Sequence, residues 1–198
     1  SVALLEQHRF GDGASGRNGG QLGTGQRAWV EEMEAEFGFE RTKILFGIAE
    51  DAKAHLLEFV EEHRIGIDYQ PGQMSVVHKP SYLKDYQAHP DAMARYGYEH
   101  VTYMDAKETA ERVGSARYLG GLRDVGTGHI HPLKLLVGTA KAVAKKGARL
   151  FEISKVTSLK SEGGMVTATT AAGTVTARKA LLALNAYGGT LEPVSAAH

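Results

Sequence analysis

Six residues, Gly11-Asp-Gly-Ala-Ser-Gly16, match the G-x-G-x-x-G spacing letter for letter. That spacing carries a dinucleotide when a strand ends just before it and a helix opens at the third glycine, because the pyrophosphate rests on that helix N-terminus. Here the context is wrong. Four residues separate Leu5-Glu6 from the loop, and Gly16 runs on into Arg-Asn-Gly-Gly-Gln-Leu-Gly, which cannot start a packed helix. No acidic strand end follows about 20 residues later; Glu31 and Glu32 fall inside a predicted helix. An NAD-type reading requires a helix from Gly16. The reading preferred here predicts irregular backbone until about Gly25.

A different residue suits dinucleotide chemistry better. Val2-Ala-Leu-Leu5 is a short apolar run of the kind that forms a buried parallel strand, and Glu6 stands at its carboxyl end. Dinucleotide folds place there the acid that bonds the ribose hydroxyls. The phosphate fingerprint is then expected upstream of Ser1. The glycine-rich stretch that follows lets backbone N–H groups approach an anion, and Arg17 adds a fixed fork of donors.

Other groupings offer less. His129 and His131 would face one way on a strand, as two metal ligands do, but no third ligand stands at a supporting spacing, so no metal is expected. Tyr69, Tyr82, Tyr86, Tyr96, Tyr98 and Tyr103 crowd the middle of the chain and could face an amine through cation–π contacts; ordinary packing is the simpler expectation. Glu31, Glu32, Glu34 and Glu36 read as a solvated helix face. No serine sits in a G-x-S-x-G elbow, so hydrolase chemistry has no support. Absence of cysteine excludes disulfides, thiolate metal sites and a cysteine nucleophile, and it fits a reducing, cytoplasmic setting. The 23 basic residues equal the 23 acidic ones, which argues against a nucleic-acid partner. Apolar runs such as residues 180–184 are too short to cross a membrane.

Several elements must position these groups. Trp29, Met33 and Phe37 recur every four residues, a helical face. A second helix carries Leu45, Ile48, Ala49, Ala52, Leu56, Phe59 and Val60 on one stripe. Residues 65–78 read as two short strands around a Pro71-Gly72 turn, and 81–98 as an irregular helical excursion. Asp105 with Glu108 forms a capping-box pattern for a helix to about Val113, and 116–125 suits a strand. Pro132 opens a helix with Leu133, Leu136, Val137, Ala140 and Ala144 on its buried side, ended by Gly147. Residues 150–153 then form a parallel strand. Strands at 156–160, 165–170 and 173–177 follow, joined at Glu162-Gly-Gly164 and Ala171-Ala-Gly173, and 180–184 reads as a further buried strand. The order is α/β with an insertion.

Gly13-Ala-Ser-Gly-Arg-Asn-Gly-Gly-Gln21 closely resembles the segment after the second strand of FAD-dependent amine oxidases of the D-amino-acid-oxidase superfamily. It looks most like the branch that contains gamma-glutamylputrescine oxidases. The resemblance resumes at Gly128-His-Ile-His-Pro132, follows the helix to Gly147-Ala-Arg149 and ends at Ala183-Leu-Asn-Ala-Tyr-Gly188. It implies an α/β fold: an incomplete FAD-binding Rossmann-like domain with a three-stranded β-meander, plus part of a mixed α+β substrate domain. The implied division is 1–64 and 126–198 for the FAD-binding domain and 65–125 for the substrate-domain insert.

FAD is the cofactor that the resemblance implies. It puts Glu6 at the ribose, and Ser15, Gly16, Arg17 and Asn18 on the pyrophosphate and flavin side. Gly19, Gly20 and Gln21 would border the ring, Val156 would lend its backbone to the adenine, and the turn at Asn185 and Ala186 would lie near the cofactor. The implied reaction oxidises the C–N bond of a small primary or secondary amine to an imine and aldehyde, with oxygen reduced to peroxide. Catalytic residues are not assigned, because the family's fingerprint and its final cofactor segment are expected outside residues 1–198. A chain so bounded reads as a partial enzyme. The alternative is a non-catalytic scaffold or subunit domain that needs a partner chain to complete the cofactor site.

Overall fold

Strand β1 (Ala3–Leu5) pairs in parallel with β6 (Arg149–Phe151), Leu4 lying opposite Leu150. A parallel strand is the expectation for each run, but neither is buried: Leu4 and Phe151 are exposed. The computed structural model describes residues 1–185 and Leu191. The chain divides into two units, the first of residues 1–18 with the described residues from 136 on, the second of residues 19–135. Helices of residues 30–62 thus group with the middle of the chain, whereas the resemblance placed 1–64 together.

The first unit adds to the β1–β6 pair an antiparallel meander of β7 (Val156–Glu162), β8 (Met165–Thr170) and β9 (Gly173–Ala177). Its turns fall where the glycines predicted them, with Gly163 and Gly164 at φ 59° and 74°. Such angles are open to glycine and strained for most other residues.

In the second unit β5 (Gly120–His129) is the central strand. It pairs antiparallel with β3 (Gln70–Val77) along one edge and with β2 (Gln21–Leu22) and β4 (Val101–Met104) along the other. Helices α3 (Leu83–Ala94) and α4 (Ala106–Val113) contact it, while α1 (Val30–Phe37) packs on α2 (Phe39–Glu62) and α3. Val30, Phe46, Met93, Tyr96, Tyr98, Val101 and Leu122 form one buried cluster; Val60, Ile65 and Ile67 form another. Each large side chain so buried contributes about 1.5–3 kcal/mol. Helix α5 (Pro132–Lys145) starts in this unit and ends in the first.

Five further expectations are corrected. Residues 70–77 form one strand rather than two, because Gly72, at φ 93°, makes a bulge between Pro71 and Gln73 and the chain does not reverse. Helix α3 is regular although Pro90 lies inside it, since burial of His89 and Met93 outweighs the lost hydrogen bond. The buried positions of α2 are Thr42, Phe46 and Val60, while Ile48 is 56% exposed. Helix α5 has no fully buried residue, and Leu133 is exposed. Residues 180–184 form no strand: nothing among the described residues pairs with them, and Leu181 is 92% exposed. Strand β4 was not anticipated at all.

Candidate cofactor site

The segments leaving β1 and β6 are laced together at the carboxyl ends of the two strands. Glu6 N donates to Phe151 O at 2.9 Å, Ser154 N to Glu6 O at 2.7 Å and Ile153 N to His8 O at 2.8 Å. Phe10 N donates to Glu152 Oε1 at 2.7 Å. Open α/β sheets bind ligands in the crevice outside such strand ends. Glu6 is half-buried there, and its Oε1 accepts from His8 N at 2.9 Å. One oxygen thus fixes the carboxylate and the other remains for a hydroxyl donor. Val156 opens β7 just beyond Ser154 and is half-buried.

The glycine-rich loop has a defined shape. A single 3₁₀ turn covers Ala14–Gly16, and no helix opens at Gly16; the next one starts at Val30. The NAD-type fingerprint is therefore excluded. Gly16 stacks on Gly11 so closely that a Cβ would overlap the Gly11 carbonyl oxygen. Asn18 Nδ2 donates to Ala14 O at 3.2 Å and Ser15 O at 3.1 Å, clamping the turn from below. Ser15 is exposed, and so is Arg17, whose guanidinium lies 3.6 Å from the Asp12 carboxylate.

Gly19, Gly20 and Gln21 belong to the second unit. Gln21 pairs with His129, and Gly20 takes φ 68° with Ile130 N donating to its carbonyl at 2.8 Å. A Cβ on Gly20 would overlap the Ile130 carbonyl, whereas Gly19 has open space around it. Asn185 takes φ 50°, and Ala186 lies outside the described residues.

The remaining candidates resolve into packing. Among the described residues no three His, Asp or Glu side chains gather as metal ligands would. Tyr96 and Tyr98 are core residues. Burial first, then the Glu34 hydrogen bond, pushes the Tyr96 phenol up to about 12; burial likewise raises Tyr98. The acids of α1 are not merely solvated. Glu31 meets His89 Nδ1 at 2.9 Å, Glu34 accepts from Arg95 Nη2 at 2.9 Å and Tyr96 Oη at 2.6 Å, and Glu32 accepts from Trp29 N at 3.2 Å. Sequence reasoning also missed a polar cluster in which Lys53 Nζ lies 2.7 Å from Glu50 Oε2 and donates to Gly126 O at 2.8 Å. The Glu50–Lys53 spacing could have revealed its first half; nothing local marked Gly126.

The first unit thus fits the adenosine diphosphate part of a dinucleotide. It offers an anchored acceptor at a parallel strand end, an exposed guanidinium and a glycine, Gly13, with open space beside it. The family described as DAO, FAD dependent oxidoreductase, matches residues 1–197. The chain belongs to this family of FAD-dependent oxidoreductases.

The chain is 53% identical to a probable oxidoreductase OrdL of Rhizobium meliloti over all 198 residues, which cover 46% of that relative. It is 35% identical to the gamma-glutamylputrescine oxidoreductase of Escherichia coli over 97% of the chain and 45% of the relative. The chain spans about half the length of the curated relatives it matches. Glycine oxidase from Geobacillus kaustophilus shares its fold at a TM-score of 0.75 and 22% identity, over 98% of this chain and 51% of the other. Among the described residues no helix is long and apolar enough to cross a membrane.

Proposed function

We propose that the polypeptide to which this chain belongs is an FAD-dependent oxidase of a primary or secondary amine, with gamma-glutamylputrescine as the candidate substrate and oxygen as the electron acceptor. The observation that carries the cofactor half is Glu6, held at the laced ends of β1 and β6. The substrate half rests on the 35% identity with a gamma-glutamylputrescine oxidoreductase over nearly the whole chain. Lack of cysteine favours the cytoplasm as its location.

When bound, FAD supplies the acceptor for a hydride from the carbon beside the amine nitrogen, and the resulting imine hydrolyses to an aldehyde. The chain's own residues bind and orient. Glu6 accepts from the ribose hydroxyls. Arg17, only loosely paired with Asp12, turns its fork of donors to the pyrophosphate. Ser15, Gly16 and Asn18 serve the same side, Gly19, Gly20 and Gln21 border the ring, and the Val156 backbone meets the adenine. Asn185 and Ala186 close the turn near the cofactor. In domain terms, residues 1–64 and 126–198 hold the cofactor and 65–125 belong to the substrate side.

The purified chain, mixed with FAD and desalted, gives the first test. Retained flavin absorption shows that residues 1–198 supply enough of the site. In the intact polypeptide Arg17→Ala is expected to weaken FAD retention about tenfold, the loss of one charge-assisted contact. Unchanged retention removes Arg17 from the site. Peroxide release with gamma-glutamylputrescine supports the substrate, and a flavin-loaded polypeptide inert towards every amine sinks the amine reading.

A further inference from the structure

Strand β2 is two residues long, with Gln21 opposite His129 and Leu22 opposite Gly128. That is shorter than a usual strand and supplies little pairing of its own. Gly23, which follows, has open space around it. The chain is caught again at Thr24 and Gly25, by two residues of α2. The Thr24 hydroxyl donates to Glu50 Oε1, and Gly25 N donates to the same oxygen at 3.4 Å. Lys53 Nζ lies 2.7 Å from Glu50 Oε2 and donates to Thr24 Oγ1 at 3.3 Å.

Lys53 also reaches the strand to which β2 pairs. Its Nζ donates to Gly126 O at 2.8 Å, two residues before Gly128. Gly126 lies where β3 and β5 change register, between Gly128 opposite Pro71 and Asp124 opposite Gln73. Its carbonyl takes a side chain where the ladder is interrupted. A lysine ammonium has three N–H donors, and here Glu50, Thr24 and Gly126 use all three. With its side chain 12% exposed and its donors spent, Lys53 is neither a solvated cation nor a group left to meet a ligand.

We propose that Thr24, Glu50 and Lys53 are positioning residues for the segment Gly19–Gln21. They tie the exit of that segment both to α2 and to β5, and so set the backbone that borders the flavin ring. This role rests on the cofactor reading above. The three residues act through that backbone and not by contact with FAD. The adenosine diphosphate part falls to Glu6 and Arg17 of the first unit, so loosening the clamp acts on the ring end alone.

ADP separates this role from a general loss of structure, because it carries the adenosine diphosphate part and lacks the ring. The intact polypeptide, freed of flavin, is titrated with FAD and with ADP. Thr24→Val keeps the side-chain shape and removes the hydroxyl that both Glu50 and Lys53 use. It should weaken FAD about fivefold, the loss of one hydrogen bond, and leave ADP unchanged. Lys53→Met should give the same pattern and decides the matter should Thr24→Val misfold. Without flavin, the amides of residues 20–22 should exchange about fivefold faster in either variant, and those of β3 at the wild-type rate. FAD affinity unchanged, FAD and ADP weakened alike, or exchange unmoved at residues 20–22 overturns the proposal while the cofactor reading stands. A wild-type polypeptide that binds neither nucleotide sinks that reading and the proposal with it.

Discussion

Glu34 lies between Arg95 and Tyr96, and their shared contact has opposite consequences for the two acids. Its hydrogen bonds with Arg95 and then Tyr96 hold Glu34 below its ordinary value of 4.5. Its folded value is depressed, so its contribution to stability is present above the unfolded value and lost as pH falls through the folded one. Tyr96 is the reverse case: raised from 10.0 to about 12, it stabilises the fold fully below pH 10.0 and ceases to do so as pH rises through about 12. Spectrophotometric titration should show a phenolate step near pH 12 that Tyr96→Phe removes. Glu34→Gln should move that step downward and flatten the loss of stability below about pH 4.5 in urea denaturation. A step left unmoved by Glu34→Gln would mean that burial alone sets the phenol.

At the scale of elements, α4 is short enough for its cap to matter. Asp105 accepts from Glu108 N at 2.8 Å while Glu108 accepts from Asp105 N at 3.1 Å. Asp105→Ala should cost ~1 kcal/mol in equilibrium unfolding, and a loss below about 0.3 kcal/mol would show that tertiary packing holds the helix start. That capping box was legible because its signal lies within four residues. The meander was legible for a similar reason, its turns being set by Gly163, Gly164 and Gly173. What escaped notice depends on distant partners. Strand β4 exists because residues 101–104 find β5, with Tyr103 opposite Leu122. The Pro71-Gly72 pair mimics a turn locally, and only pairing with Gly128 and Asp124 keeps the strand running through it. Glu6 could be placed at a strand end from its neighbours, but the bonds from Ser154 and His8 that fix it could not.

Across the whole molecule, the buried apolar residues are unevenly shared. Among the described residues, Leu159 is the only buried hydrophobic side chain of the first unit; the others, from Val30 to Leu122, belong to the second. Local stability follows buried apolar contact. Native-state hydrogen exchange should therefore find the slowest amides in β3 and β5 and faster ones in β7–β9. FAD that binds the folded first unit should add protection at β1 and β6 by mass action, about 2.7 kcal/mol at a hundredfold excess over Kd. Protection spread evenly over both units, with or without FAD, would contradict this division.

The glycines of the loop carry a lesson for reading tolerated change. Every missense change at a glycine codon adds at least a Cβ. At Gly16 and Gly20 that atom collides with a backbone carbonyl whatever the residue, so variants there vanish from a selected library for steric reasons alone. At Gly13 and Gly19 the same atom meets nothing of the protein within 4 Å. Depletion at these two positions would therefore be the imprint of a bound molecule, left in the survivors' genes without that molecule being seen.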